Sequence, residues 1–70
     1  MERKEAIALL RELVDRNLAQ PSIVSIDKNE RGGFNLVIKD DCQMIKQFIA
    51  EKKLAIKEDK EKGFCIIFKP

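Results

Sequence analysis

Histidine, threonine, tryptophan and tyrosine are absent from this 70-residue sequence. The lack of an imidazole excludes the Ser-His and Cys-His arrangements that activate most protein nucleophiles. What remains is Ser22, Ser25, Cys42 and Cys65, with no histidine to deprotonate any of them. Zinc sites ordinarily combine cysteine with histidine. Two cysteines 23 positions apart in a histidine-free chain do not supply such a set. They are also too few for a disulfide framework, and a reducing compartment would keep them as thiols.

Long hydrophobic runs are missing too. No apolar run exceeds five residues, so no segment reads as a membrane span. The charged start, Met1-Glu2-Arg3-Lys4-Glu5, leads directly into a helical pattern and lacks the form of a signal peptide. A cytoplasmic protein is expected. Charge of one sign is scarce as well. Fourteen basic against 12 acidic residues leave +2, which does not point to nucleic acid or an anionic membrane. Three glycines, two prolines and 44% hydrophobic residues exclude a disordered or low-complexity chain.

What is present is periodic. Ala6, Leu9, Leu10, Leu13 and Leu18, with Ile7 and Val14 beside them, make an apolar stripe at helical spacing over residues 1–20. Glu12 and Arg16 form an i,i+4 pair on its outer side, and Pro21 is expected to end the helix. Residues 23–28 and 34–39 alternate as strands around the turn Asn29-Glu30-Arg31-Gly32-Gly33. Asp40 and Asp41 are suited to cap a second helix, Asp40 forming a capping box with Gln43. Cys42, Ile45 and Ile49, with Met44 and Phe48, form that helix's buried side. A second hairpin follows, 54–58 and 64–69, around 59–63.

The two halves match. A shift of 30 carries Val24 onto Leu54, Ile26 onto Ile56, Gly33 onto Gly63, Phe34 onto Phe64, Leu36 onto Ile66 and Ile38 onto Phe68. The chain therefore reads as one domain, 1–70, built from two αββ units, 1–39 and 40–70. The economical packing is an α+β two-layer sandwich: αββαββ order, a four-stranded antiparallel sheet in order 1-2-4-3, and two helices on one face. The more charged first and third strands take the edges, where they discourage edge-to-edge pairing. In this scheme Phe34, Leu36, Phe64, Ile66 and Phe68 lie in the core with Leu10, Leu13, Ile45, Phe48 and Ile49.

The uncovered sheet face is then the candidate surface. Ile23, Ser25, Asn35, Val37, Ala55, Cys65 and Ile67 form a candidate protein interface with an apolar centre. Arg31, Lys39, Lys57, Lys62 and Lys69 are the candidate nucleic-acid contacts. With all four phenylalanines assigned to the core, no aromatic is left on that face to stack a base.

Other chemistry has simpler explanations. Asp40-Asp41 could hold Mg²⁺ or Ca²⁺ only with further converging oxygens, and capping explains the pair. The 29–33 turn lacks the spacing and the Lys-Ser/Thr ending of a phosphate loop. Cys42 at a helix start could be a reactive thiol, but two adjacent aspartates oppose the thiolate, and it reads as a packed residue. No catalytic residue, metal or cofactor is expected. The function expected is a small non-catalytic protein-interaction module, self-associating as a homodimer or binding another protein. The alternative is a weak, sequence-nonspecific nucleic-acid binder. No membrane partner is expected.

Overall fold

The computed structural model describes residues 1–40 and 42–70. Its elements are α1 (Arg3–Asp15), β1 (Val24–Lys28), β2 (Phe34–Ile38), α2 (Lys46–Glu51), β3 (Ala55–Asp59) and β4 (Phe64–Phe68), with 3-10 turns at Pro21–Ile23 and Gln43–Ile45. The strands form one antiparallel sheet in the order β1-β2-β4-β3, as the charge distribution predicts.

Both helices are shorter than expected, α1 at its end and α2 at its start, where Gln43–Ile45 is a 3-10 turn. Asn17 takes a left-handed conformation, φ 58°, and Leu18 N–H donates to Leu13 O at 2.9 Å. This closure satisfies the last carbonyls of α1 and ends the helix well before Pro21. Lys53, φ 57°, ends α2 in the same way, with Leu54 N–H donating to Ile49 O at 3.0 Å. At the start of α2 Cys42, not Asp40, is the N-cap of the leading 3-10 turn, and its side chain makes no cap bond. The capping role expected of Asp41 lies outside the described residues.

The core lies between the helices and one sheet face. It comprises Ala6, Leu9 and Leu13 from α1; Cys42, Ile45, Phe48 and Ile49 from the second helical segment; and Val24, Leu36, Ile38, Cys65 and Ile67 from the sheet. α1 packs on β1 and β2, and α2 packs on β3. Met44, expected inside, is 70% exposed, because the 3-10 turn rotates it away from the helical stripe. Between the helices, Glu12 pairs with Arg16 at 3.1 Å and with Lys52 at 3.0 Å. Arg16 and Lys52 both lie over the buried Phe48 ring, at 5.5 and 5.6 Å from its centroid.

β4 has the opposite phase from the one expected. In the first hairpin Lys28 pairs with Phe34, leaving the five residues 29–33 between them. In the second, Asp59 pairs with Phe64, leaving four, 60–63. An odd connection pairs even-numbered positions with even ones, and an even connection pairs even with odd. Ile56 therefore pairs with Ile67, and Leu36 also pairs with Ile67. A one-residue slip exchanges the two faces of a strand. Cys65 and Ile67 are core, and Phe64, Ile66 and Phe68 lie on the other side. The shift of 30 superposes β1 on β3 face for face but does not do so for β2 on β4.

Candidate functional site

The sheet face turned away from the helices is built in rows. Asp27 pairs with Asn35, and Ser25 with Val37, across β1–β2. Val37 pairs with Ile66 across the central seam. On β4–β3, Phe68 pairs with Ala55, Ile66 with Lys57, and Phe64 with Asp59. Lys39 continues the face one step past β2, where its N–H donates to Ile23 O at 2.8 Å.

The result is an apolar stripe, Phe64-Ile66-Phe68, running along a central strand. Val37 and Ala55 stand beside it. None of these five packs against the core cluster. Each is half-buried, because cross-strand neighbours cover its flanks and leave its outer surface free. The surrounding charges are Lys39, Lys57, Asp27 and Asp59, two of each sign.

Several residues expected on this face are elsewhere. Cys65 and Ile67 are 2% and 0% exposed in the core, a consequence of the shorter second connection. Ile23 precedes β1 in a 3-10 turn and packs against the core. Ser25, Asn35, Val37 and Ala55 are where the alternation put them. Conversely, Phe64, Ile66 and Phe68, expected in the core, belong to the open face.

The basic residues do not form one track. Arg31 stands at the first hairpin tip and Lys62 at the second, and the antiparallel β2–β4 pairing puts those tips at opposite ends of the sheet. Lys69 follows the phase of Ile67 and pairs with Glu5 of α1 at 3.5 Å, on the helix side. One open groove at the first tip does gather Lys28, Arg31, Lys57 and Lys69 beside Phe68. Glu30 lies in the same groove.

Beneath β3 and β4 lies the other polar cluster. Glu58 accepts a hydrogen bond from the Cys42 thiol and an ion pair from Lys46 at 3.2 Å. Both hold its carboxyl below the ordinary range, the thiol bond first. Burial, with hydrogen bonds to Cys65 and Glu58, pushes the Cys42 thiol up to about 12. Cys65 Sγ donates to Asp40 O at 3.4 Å. A thiol held neutral as Cys42 is acts as a packing group, not a nucleophile. Among the described residues, no three Cys, Asp or Glu side chains are grouped to hold a metal ion, and no helix is long and apolar enough to cross a membrane.

The turns carry the signal that locates the stripe. Gly32 and Gly63 are the left-handed glycines, at φ 83° and 71°. In the first turn Gly33 still intervenes before Phe34; in the second, Phe64 follows the left-handed glycine directly. The sequence match pairs Gly33 with Gly63, whereas the backbone pairs Gly32 with Gly63. Neither a protein-family model nor a curated protein nor a solved structure matches the chain.

Proposed function

We propose that this chain is a small, non-catalytic protein-interaction module that self-associates through its open sheet face, in a reducing cytoplasmic setting. The observation that carries the reading is the stripe Phe64-Ile66-Phe68, with Val37 and Ala55 beside it, on a face that neither helix covers. An apolar centre within a polar rim is the anatomy of a protein interface. A chain of this length also has much to gain from association, because a small core alone stabilises it only modestly. The two free thiols accord with a reducing compartment.

Sedimentation from low to several hundred micromolar tests the reading. The parent is expected to self-associate, and Val37→Lys with Ile66→Lys is expected to give a folded monomer, because both lysines would be forced into the apolar centre. A parent that stays monomeric throughout removes the self-association reading.

A second reading draws on a specific observation: two phenylalanines share the open face with Lys39 and Lys57, and Phe68 adjoins the basic groove. Sheets that bind single-stranded nucleic acid stack bases on such rings. Against it, Asp27 and Asp59 lie on the same face, Lys69 is paired with Glu5, and the net charge is only +2. Binding to a mixed single strand is therefore expected to be no tighter than about 10 μM at physiological salt. Submicromolar affinity there, lost when Phe68→Ala and Lys57→Ala are combined in a folded protein, would put this reading first.

A further inference from the structure

We infer that Cys42 and Cys65 are a redox pair, placed to close an intrachain disulfide that ties β4 to the segment leading α2. The inference is independent of what the open face binds. Several contacts triangulate the pair. Cys65 stands directly opposite Glu58 across β3–β4. The Cys42 thiol donates to that same Glu58 carboxyl. Cys65 Sγ donates to Asp40 O at 3.4 Å, two residues before Cys42. The two thiols also share a hydrogen bond. Both belong to the core cluster beneath the helix-covered face of the sheet. A buried free cysteine is an ordinary packing residue. What sets these two apart is mutual contact, in a chain whose only cysteines are 23 positions apart.

The oxidant is a small-molecule disulfide of the glutathione class. One protein thiolate attacks a glutathione sulfur, releasing one glutathione thiol and leaving a mixed disulfide. The second protein thiolate attacks the protein sulfur of that adduct and releases the other glutathione. Two protein S–H bonds are lost and one S–S bond forms. The two protons and two electrons end on two glutathione thiols. Burial sets where this begins. At 1% and 2% exposure neither residue admits such a reagent in the folded chain. Exchange starts in the opened chain, where Cys42 recovers its ordinary thiol acidity. Refolding then sets the thiols against each other, and a glutathione adduct on either has no room in the core. The fold therefore selects the intrachain bond over the adduct. In a reducing setting the pair rests as two thiols, and it closes as glutathione disulfide accumulates. The bond is compatible with one phase of β4 only. It requires Cys65 on the helix side, the phase that turns Phe64, Ile66 and Phe68 outward. Oxidation locks the face that the molecule displays.

The test compares the two redox forms of the full chain. The thiol form is unfolded in urea with glutathione disulfide at low protein concentration. The intrachain product is isolated by its loss of two hydrogen atoms, and its Cys42–Cys65 link is mapped by peptide mass. Urea is removed, and urea titrations of the two forms are compared. A cross-link that closes a loop of this length is expected to favour the folded state about a hundredfold, by restricting the unfolded chain. An oxidised chain that does not refold, or is no more stable than the thiol form, overturns the pairing, because thiols out of reach would have to distort the core. The folded parent is then equilibrated with glutathione mixtures of rising disulfide content, starting from each redox form. Cys42→Ala, which cannot close the bond, serves as the reference for adduct formation at Cys65. The intrachain bond is expected as the main oxidised product of the parent. A glutathione adduct like that of Cys42→Ala, or an interchain disulfide, in its place overturns the inference.

Discussion

Leu36 and Ile67 stand opposite each other across the β2–β4 seam, and neither has any exposed surface. They are the centre of the core, with α1 packed over one and β3 adjoining the other. Ile67→Ala is expected to cost about 2–5 kcal/mol, the range for removing a buried aliphatic side chain without full collapse of the space. Phe64→Ala, on the open face, is expected to cost about 1 kcal/mol or less in the monomer. Denaturant titrations of the two variants at low protein concentration check the ordering. Equal costs, or a larger cost for Phe64, would mean that β4 faces the other way.

Lys53 closes α2 with a left-handed backbone that a β-carbon disfavours. Lys53→Gly is expected to stabilise the fold by about 0.5–1 kcal/mol, seen as a rise in melting temperature. Asn17→Gly should gain less, because asparagine tolerates that conformation. A loss of stability in Lys53→Gly would show that the Lys53 side chain contributes more than its backbone strain takes away.

Acid should act through Glu58. Its carboxyl lies below the ordinary 4.5 because it accepts from Cys42 and pairs with Lys46. A depressed carboxyl contributes stability that is fully present above 4.5 and is lost as pH falls through the lower folded value. Glu58→Gln should therefore be less stable than the parent near neutrality and converge with it in strong acid. Thermal melts over that range decide it; a constant difference at every pH would mean that the charge is not the source.

Alkali should act through Cys42. Its thiol is pushed up from 9.0 to about 12, so the folded state resists ionisation that the unfolded chain permits. That contribution is present below 9.0 and fades as pH rises toward 12. Cys42→Ala should lack this alkaline decline. With the two cysteines 1% and 2% exposed, a thiol reagent is expected to modify the parent only as fast as it unfolds. Rapid modification of either thiol in the native protein would contradict that burial.

The elements and their order were legible because the first three strands each carry polar residues that mark the outer face, Ser25 and Asp27 in β1, Asn35 in β2 and Lys57 in β3. Val24 and Ile26 face inward while Ser25 and Asp27 face outward, and no second assignment competes. β4 reads Phe-Cys-Ile-Ile-Phe, apolar at every position, so alternation is silent there. Residue size favoured the phenylalanines for the core, and that choice removed the aromatic stripe from the candidate surface. The deciding information sat in the connection, in which glycine adopts the left-handed backbone. The end of α1 is hidden for a related reason: closure at Asn17 is a backbone event at a residue that carries less of glycine's signal.

A strand apolar on both sides is a strand with two possible interiors. Here the length of one four-residue connection decides which is used. Removing or adding a single residue between Asp59 and Phe64 would leave every side chain of β4 unchanged and still reverse what the molecule hides and what it shows. Cysteine and isoleucine would face outward, and the phenylalanines would turn under the helices. A single-codon insertion or deletion is a common genetic event. In this chain it could create or erase a sticky surface in one step, without altering any residue of that surface.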